Sequence, residues 1–226
     1  MLQQTFAYVL EKRAFLHPEH PAVKEAHSLR SYTYQQIYER SNRLANLLKD
    51  AGVRKGDRIS CITTNSVEYI ELFIAASRLG AILNPLNYRL AAFEMIRIVE
   101  DAKPKALVFD IEFAEMAREI VESSRTFELV LSFGGSGLNW AKSMEVESAH
   151  CEPVGPEIAG DSEDPLLMLY TAGSTGRPKG VPLRQVNLFF NALNWIIDVG
   201  ITKEDYTMTV IPLFHIGGHM LWTLPH

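Results

Sequence analysis

The stretch LLMLYTAGSTGRPKG, residues 166–180, indicates both the fold class and the candidate site of this chain. Its apolar beginning is typical of a strand buried inside a parallel sheet. The eleven residues from Tyr170 onward hold three glycines, three serine or threonine hydroxyls and two cations. Glycines let a turn expose backbone N–H groups, hydroxyls add donors and cations add charge, which together suit a polyphosphate. The stretch therefore predicts an α/β sheet with an anion-binding loop at the carboxyl end of one strand.

The loop differs from a Walker A loop at the residues beside its lysine. Lys179 stands between Pro178 and Gly180, whereas a Walker A lysine follows Gly and precedes Ser or Thr. A P-loop kinase or GTPase, or a nucleotide hydrolase of another family, is therefore disfavoured. A solvated Gly/Ser surface loop is the plain alternative, and the length and order of the run argue against it.

The run resembles the phosphate loop of the AMP-forming acyl-CoA synthetase and ligase superfamily, usually Tyr-Thr-Ser-Gly-Thr-Thr-Gly, any residue, Pro-Lys-Gly. Ala172 replaces the usual Ser and loses a hydroxyl, and Ser174 replaces a common Thr and keeps one. Other segments resemble the family in the same order along the chain, namely 33–57, 65–81, 84–87 and 212–218. The resemblance thus extends over essentially the whole sequence.

The resemblance implies activation of a fatty or aromatic carboxylic acid with ATP and Mg²⁺, with coenzyme A as co-substrate. The residues implied to hold ATP are Thr171, Ala172, Gly173, Ser174, Thr175, Gly176 and Lys179. Lys179 and His215 are implied to be catalytic, His215 on the acid side, although a buried core histidine is the alternative for His215. Arg177 is expected to face solvent. No metal ligand is identified, and Gln185, where many members carry His, is given no role.

Composition excludes several other classes of protein. The chain has 226 residues, 47% apolar, with a formal net charge of −5 and no long basic block, which argues against nucleic acid as a partner. Cys61 and Cys151 form neither a disulfide framework nor a metal-ligand spacing, and Cys61 is expected in the core. We find no signal peptide and no transmembrane segment. This pattern is typical of an intracellular protein, and we expect a cytoplasmic location.

The remaining sequence alternates helical and strand periodicity, which predicts a predominantly parallel, doubly wound α/β sheet flanked by helices. Thr33 and Gln36 form a predicted capping box. Asn65 is the predicted cap of the next helix, and Gly80 its stop. The predicted helices are 2–15, 33–51, 67–79, 92–101, 113–122 and 188–199. The predicted strands are 59–63, 81–83, 106–109, 129–133, 166–170 and 207–211.

We interpret 1–226 as an incomplete amino-terminal AMP-binding domain. Its parts are a first βα-rich part (1–133), an irregular connection (134–164), and the phosphate loop with the following helix and strand (165–226). The small carboxy-terminal domain of the family is absent from this sequence, so efficient catalysis by these residues alone is not expected. The alternative is a naturally short, non-catalytic nucleotide-binding or interaction module. Self-association through surface exposed by truncation is also expected.

Overall fold

A computed structural model describes residues 4–26, 28–135, 137–171 and 178–225, with Trp222 described by its backbone alone. The strands are β1 (Pro21–Lys24), β2 (Ser31–Thr33), β3 (Arg58–Ile62), β4 (Ile82–Pro85), β5 (Ala106–Asp110), β6 (Leu129–Phe133), β7 (Lys142–Ser143), β8 (Pro165–Thr171) and β9 (Lys179–Arg184). The α-helices are α1 (Phe6–Leu16), α2 (Tyr34–Asp50), α3 (Val67–Leu79), α4 (Ala92–Ala102), α5 (Ala114–Ser123), α6 (Met144–Ala149) and α7 (Gln185–Val199). A 3₁₀ turn covers Ile111–Phe113 and a π-helix covers Gly218–Thr223.

The central sheet has seven strands in the order β7-β6-β5-β3-β4-β8-β9. Every neighbouring pair from β7 to β8 is parallel, and the edge strand β9 is antiparallel to β8. The separate pair β1 and β2 is antiparallel. The predicted, predominantly parallel α/β sheet is confirmed.

Helices cover both faces of the sheet. Alternate residues of a strand point to opposite faces, so one strand contributes to two cores. On one face, Ala106 and Val108 of β5 pack in a core with α1, α2 and α3. On the other face, Leu107 and Phe109 of the same strand pack in a second core with α4 and α5. The doubly wound arrangement is therefore confirmed, and Cys61 is buried in the first core as expected.

The helix that follows β3 begins as predicted but is capped by a different residue. The Ser66 Oγ accepts a hydrogen bond from the Tyr69 N–H at 3.2 Å, so Ser66 is the cap of α3. The prediction that Asn65 caps this helix is therefore wrong. Gly80 ends the helix in the left-handed conformation, with φ of 65°, and the predicted capping box of Thr33 and Gln36 is present in α2.

Two further predictions are corrected by the structure. The connection 134–164 is not wholly irregular, since it contains the short elements β7 and α6. Residues 207–211 form no strand. The backbone carbonyls of Thr209 and Ile211 bind the Asn65 side chain instead of a neighbouring strand. Strand β9, which directly follows the predicted phosphate loop, was not predicted.

The connection from α6 back to β8 is held against α2 by polar side chains. The Asn42 amide donates to the Pro153 carbonyl at 2.9 Å. The Asn46 amide donates to the carbonyls of Glu152 and Val154 at 3.0 and 2.9 Å. These bonds satisfy backbone groups that a segment without regular structure would leave unpaired. They hold residues 152–154 of the connection against α2.

Candidate functional site

The hairpin of β8 and β9 fixes both ends of the predicted phosphate loop. Thr171, the last residue of β8, lies directly opposite Lys179, the first residue of β9. Both residues are exposed. The other predicted loop residues, Ala172, Gly173, Ser174, Thr175 and Gly176, lie outside the described residues, as does Arg177. The hairpin thus pairs a hydroxyl-bearing residue with a lysine at the carboxyl end of β8.

Tyr170, the residue before Thr171 in β8, links the same hairpin to helix α4. Its hydroxyl donates to the Asp101 carboxylate at 2.5 Å, which ties β8 to the end of α4. Burial, together with this bond, raises the pKa of the Tyr170 phenol above its ordinary value. A Cβ at Gly180, across the pair, would lie 3.0 Å from the Tyr170 ring. Glycine at 180 therefore allows the close approach of β9 to this ring.

The hairpin lies where the connections of the sheet diverge. After β4 the chain runs through α4 to β5, which lies on the β3 side of β4 in the sheet. After β8 it runs to β9, which lies on the side of β8 away from β4. Neighbouring parallel strands whose connections leave in opposite directions form a crevice at their carboxyl ends, and ligands of open α/β sheets bind there. Thr171 lies at this edge. The topology therefore supports the sequence-based choice of site.

His215 lies on a segment that is anchored to the same edge. Asn65, which follows the carboxyl end of β3, accepts a hydrogen bond from the Leu213 N–H at 2.8 Å. Because β3, β4 and β8 are parallel, their carboxyl ends share one edge of the sheet. His215 itself is exposed, so the alternative of a buried core histidine does not hold for it.

Aromatic rings pack beside His215 at this edge. Phe214 is 8% exposed and meets the Tyr88 ring edge-on, with centroids 5.0 Å apart. Tyr88 in turn stacks on Phe113 at 5.2 Å. The Arg89 guanidinium lies 5.8 Å from the Tyr88 ring centroid and 5.7 Å from that of Phe214, within the range of a cation–π contact. Tyr88 and Arg89 follow β4, and the sequence reasoning gave neither a role.

Two further polar residues, His219 and Gln185, make structural contacts. His219 is buried, with Nε2 2.8 Å from the Tyr69 hydroxyl and 2.8 Å from the Leu213 carbonyl oxygen. Burial lowers the pKa of His219 to about 4, although the Leu213 carbonyl opposes this change, so the ring is neutral at pH 7. The Gln185 Oε1 accepts from the Phe6 N–H at 3.2 Å and the Ser77 hydroxyl at 2.6 Å. Gln185 thus joins α7 to α1 and α3.

Metal binding and membrane insertion find no support in the part of the chain that the structure describes. There, no group of three or more His, Cys, Asp or Glu side chains is arranged to hold a metal ion. The described helices include none with the length and apolar character needed to cross a bilayer.

Comparisons with known proteins agree with this fold. A family model for AMP-binding enzymes matches residues 10–226. Over 214 residues, the chain is 32% identical to a feruloyl-CoA synthase of Amycolatopsis sp, covering 95% of this chain and 40% of the relative. Over 214 residues it is 30% identical to a long-chain-fatty-acid–CoA ligase of Mycobacterium tuberculosis, covering 95% and 42%.

A solved structure, ATP-bound MatB from Rhodopseudomonas palustris, superposes with a TM-score of 0.83 at 27% identity, covering 99% of this chain and 43% of that chain. The chain thus spans about 40% of the length of the curated relatives described above. The model of the AMP-binding family matches nearly the whole of this chain, residues 10–226. The chain therefore belongs to the family of AMP-binding enzymes.

Proposed function

We propose that this chain is the phosphate-loop part of an AMP-forming acid–CoA ligase. The observation that carries the proposal is the β8–β9 hairpin, which sets Thr171 opposite Lys179 at the carboxyl edge of the sheet. Membership of the AMP-binding family and the acyl-CoA ligases among the relatives support it. These residues alone are not expected to catalyse efficient thioester formation.

In the proposed reaction, a carboxylate oxygen of the acid attacks the α-phosphorus of ATP. An acyl-adenylate forms, and pyrophosphate leaves with the electrons of the broken P–O bond. The thiol of coenzyme A then attacks the acyl carbon, and AMP leaves. The first step brings an anion to a polyanion, so fixed donors and cations must offset the repulsion.

The hairpin residues would supply those donors and that charge. The Thr171 hydroxyl and the Lys179 ammonium would contact the β- and γ-phosphates, with the loop residues Ala172, Gly173, Ser174, Thr175 and Gly176 between them. His215, on the segment anchored by Asn65, would lie on the acid side. This division gives the nucleotide and the acid separate contacts along one edge of the sheet.

Mg²⁺ and coenzyme A are assigned no residues. The described residues offer no cluster of metal ligands, so we propose that Mg²⁺ enters bound to ATP. A fatty or an aromatic acid is the proposed substrate, because the relatives include a long-chain-fatty-acid ligase and a feruloyl-CoA synthase. A cytoplasmic location is proposed because ATP and coenzyme A are available there.

Acid-dependent exchange of radiolabelled pyrophosphate into ATP tests the proposed function. The exchange needs only the first step, so the result does not depend on the thiol acceptor. We expect the natural protein that contains this sequence to catalyse the exchange when a fatty or aromatic acid is present. Without an acid, we expect no exchange. Binding of Mg-ATP without exchange for any acid would instead favour a non-catalytic nucleotide-binding module.

Self-association remains a prediction for the 226-residue chain studied alone. Tyr206, Met208 and Val210 are 76%, 70% and 71% exposed on alternate positions of an extended segment. Ile197 on α7 is 71% exposed as well. Burying such apolar surface favours association. Light scattering during size-exclusion chromatography is expected to show dimers or larger species as concentration rises, and a monomer at every concentration would contradict this.

A further inference from the structure

The side chain of Asn65 binds three alternate residues of the segment that leads to His215. Its Nδ2 donates to the carbonyl oxygens of Thr209 and Ile211, each at 3.0 Å. Its Oδ1 accepts from the Leu213 N–H at 2.8 Å. Both donors and the acceptor of one amide are therefore used on a single stretch of backbone.

This pattern replaces a neighbouring strand. In an extended chain, residues at positions i, i+2 and i+4 present their backbone polar groups to the same side, where a second strand would normally bind. Among the described residues, segment 209–213 has no strand partner, and the Asn65 amide occupies that side. The Asn65 side chain therefore binds segment 209–213 along the side where a neighbouring strand would otherwise pair.

The far end of the segment is fixed from a second direction. The Leu213 carbonyl accepts from the Tyr69 hydroxyl at 3.2 Å and lies 2.8 Å from the His219 Nε2. Leu213 is 4% exposed, so these groups are shielded from water. Leu213 is thus held through its N–H by Asn65 and through its carbonyl by α3 and the π-helix. His215 lies two residues further on.

We propose that Asn65 is a positioning residue, which holds His215 at the acid end of the site without touching a substrate. The proposal rests on the proposed function, in which His215 faces the acid and the hairpin holds ATP. Loss of the Asn65 bonds should therefore impair the use of the acid and leave the contacts of Thr171 and Lys179 with ATP unchanged. The described hydrogen bonds of Asn65 involve neither Thr171 nor Lys179. We therefore expect ATP affinity to stay unchanged.

Asn65→Asp is the test variant and Asn46→Asp its matched control. The substitution at 65 keeps the acceptor for the Leu213 N–H but places a carboxylate oxygen against two carbonyl oxygens. Asn46 also donates to the carbonyls of two alternate residues, Glu152 and Val154, but on the connection packed against α2. Both variants thus make the same chemical change, one at the segment that leads to His215 and one at the α6–β8 connection.

Kinetics of pyrophosphate exchange give the first readout. In Asn65→Asp, kcat/KM for the acid is expected to fall by about 10- to 100-fold, since misplacement by about 1 Å can cost 10²-fold. KM for ATP is expected to stay at the wild-type value, and Asn46→Asp should resemble wild type in both. An equal loss of acid and ATP use in Asn65→Asp, or an equal loss in both variants, would overturn the proposal.

The imidazole NMR signals of His215 give a readout that does not need activity. They are identified in the 226-residue chain by their loss in His215→Gln. We expect them to shift in Asn65→Asp and to remain in place in Asn46→Asp; an unmoved signal in Asn65→Asp would overturn the positioning role. A shifted signal in a protein that shows no exchange would contradict the proposed function alone. Asn65→Ser serves as the second variant if circular dichroism shows that Asn65→Asp does not fold.

Discussion

Replacing Lys179 with alanine is expected to slow acid-dependent pyrophosphate exchange by about 10²–10³-fold, the cost of removing one preorganised charge-stabilising donor. Lys179 opens β9 opposite Thr171 and is exposed at the mouth of the hairpin. The leaving pyrophosphate gains charge as its bond to the α-phosphorus breaks, so a fixed ammonium stabilises the transition state more than the ground state. Exchange rates of wild type and Lys179→Ala measure this directly.

Binding should weaken as well, because part of the contact exists before the reaction. A hydrogen bond to a charged group contributes about 1.5–3 kcal/mol, which corresponds to a loss of Mg-ATP affinity of about 10- to 100-fold. Calorimetric titration of Mg-ATP into the 226-residue chain measures it. Lys203→Ala is the control, since Lys203 is also exposed but pairs with Glu204 at 3.7 Å on the loop after α7. Equal affinities for wild type and Lys179→Ala would remove Lys179 from the site.

Acidification is expected to destabilise the fold through His219 by roughly 3 kcal/mol, at 1.36 kcal/mol for each pKa unit of difference between the folded and unfolded states. Burial lowers the pKa of His219 from 6.5 to about 4 in the folded chain. Between these values the unfolded chain takes up a proton that the folded chain excludes. The contribution of His219 to the free energy of unfolding is therefore complete above pH 6.5 and decreases as the pH drops towards 4.

His219→Gln isolates this contribution. Glutamine retains an N–H donor for the Leu213 carbonyl but does not titrate, so the difference in stability between neutral and acidic pH should become smaller. Urea unfolding at several pH values measures the difference. His17→Gln, at an exposed position after α1, should leave the pH dependence as in wild type. An unchanged dependence in His219→Gln would mean that the ring is not buried neutral.

The sequence predicted the central strands well and the edge of the sheet poorly. Strands β5 and β6 are apolar runs, because parallel strands are buried on both faces. Strand β9 is different, since it pairs on one side only and tolerates Gly180 and Pro182. Proline lacks an N–H donor and normally marks an edge strand or a loop. The sequence of β9 therefore resembles that of a continuing loop.

Within the candidate site, the sequence suggested residues for the proposed chemistry but not the residues that contact and hold their segments. Thr171, Lys179 and His215 belong to motifs that can be recognised locally. Asn65 was assigned to helix capping, because Asn and Ser are both good caps and the two are adjacent. Its real partners lie more than 140 residues further along the chain. The same holds for His219 and Tyr69, which meet across 150 positions. No local pattern encodes such distant pairs.

The hydrogen bonds of Gln185 have a consequence for the order in which the chain acquires structure during synthesis. Phe6 leaves the ribosome well before Gln185, yet its N–H binds Gln185, 179 positions later. The start of α1 thus lacks this partner until the hairpin and the beginning of α7 have been translated. Helix α1 meets Ser77 of α3 earlier, through the Ala7 N–H. We therefore expect helix α1 to be docked in two stages, with the second coupled to completion of the β8–β9 hairpin.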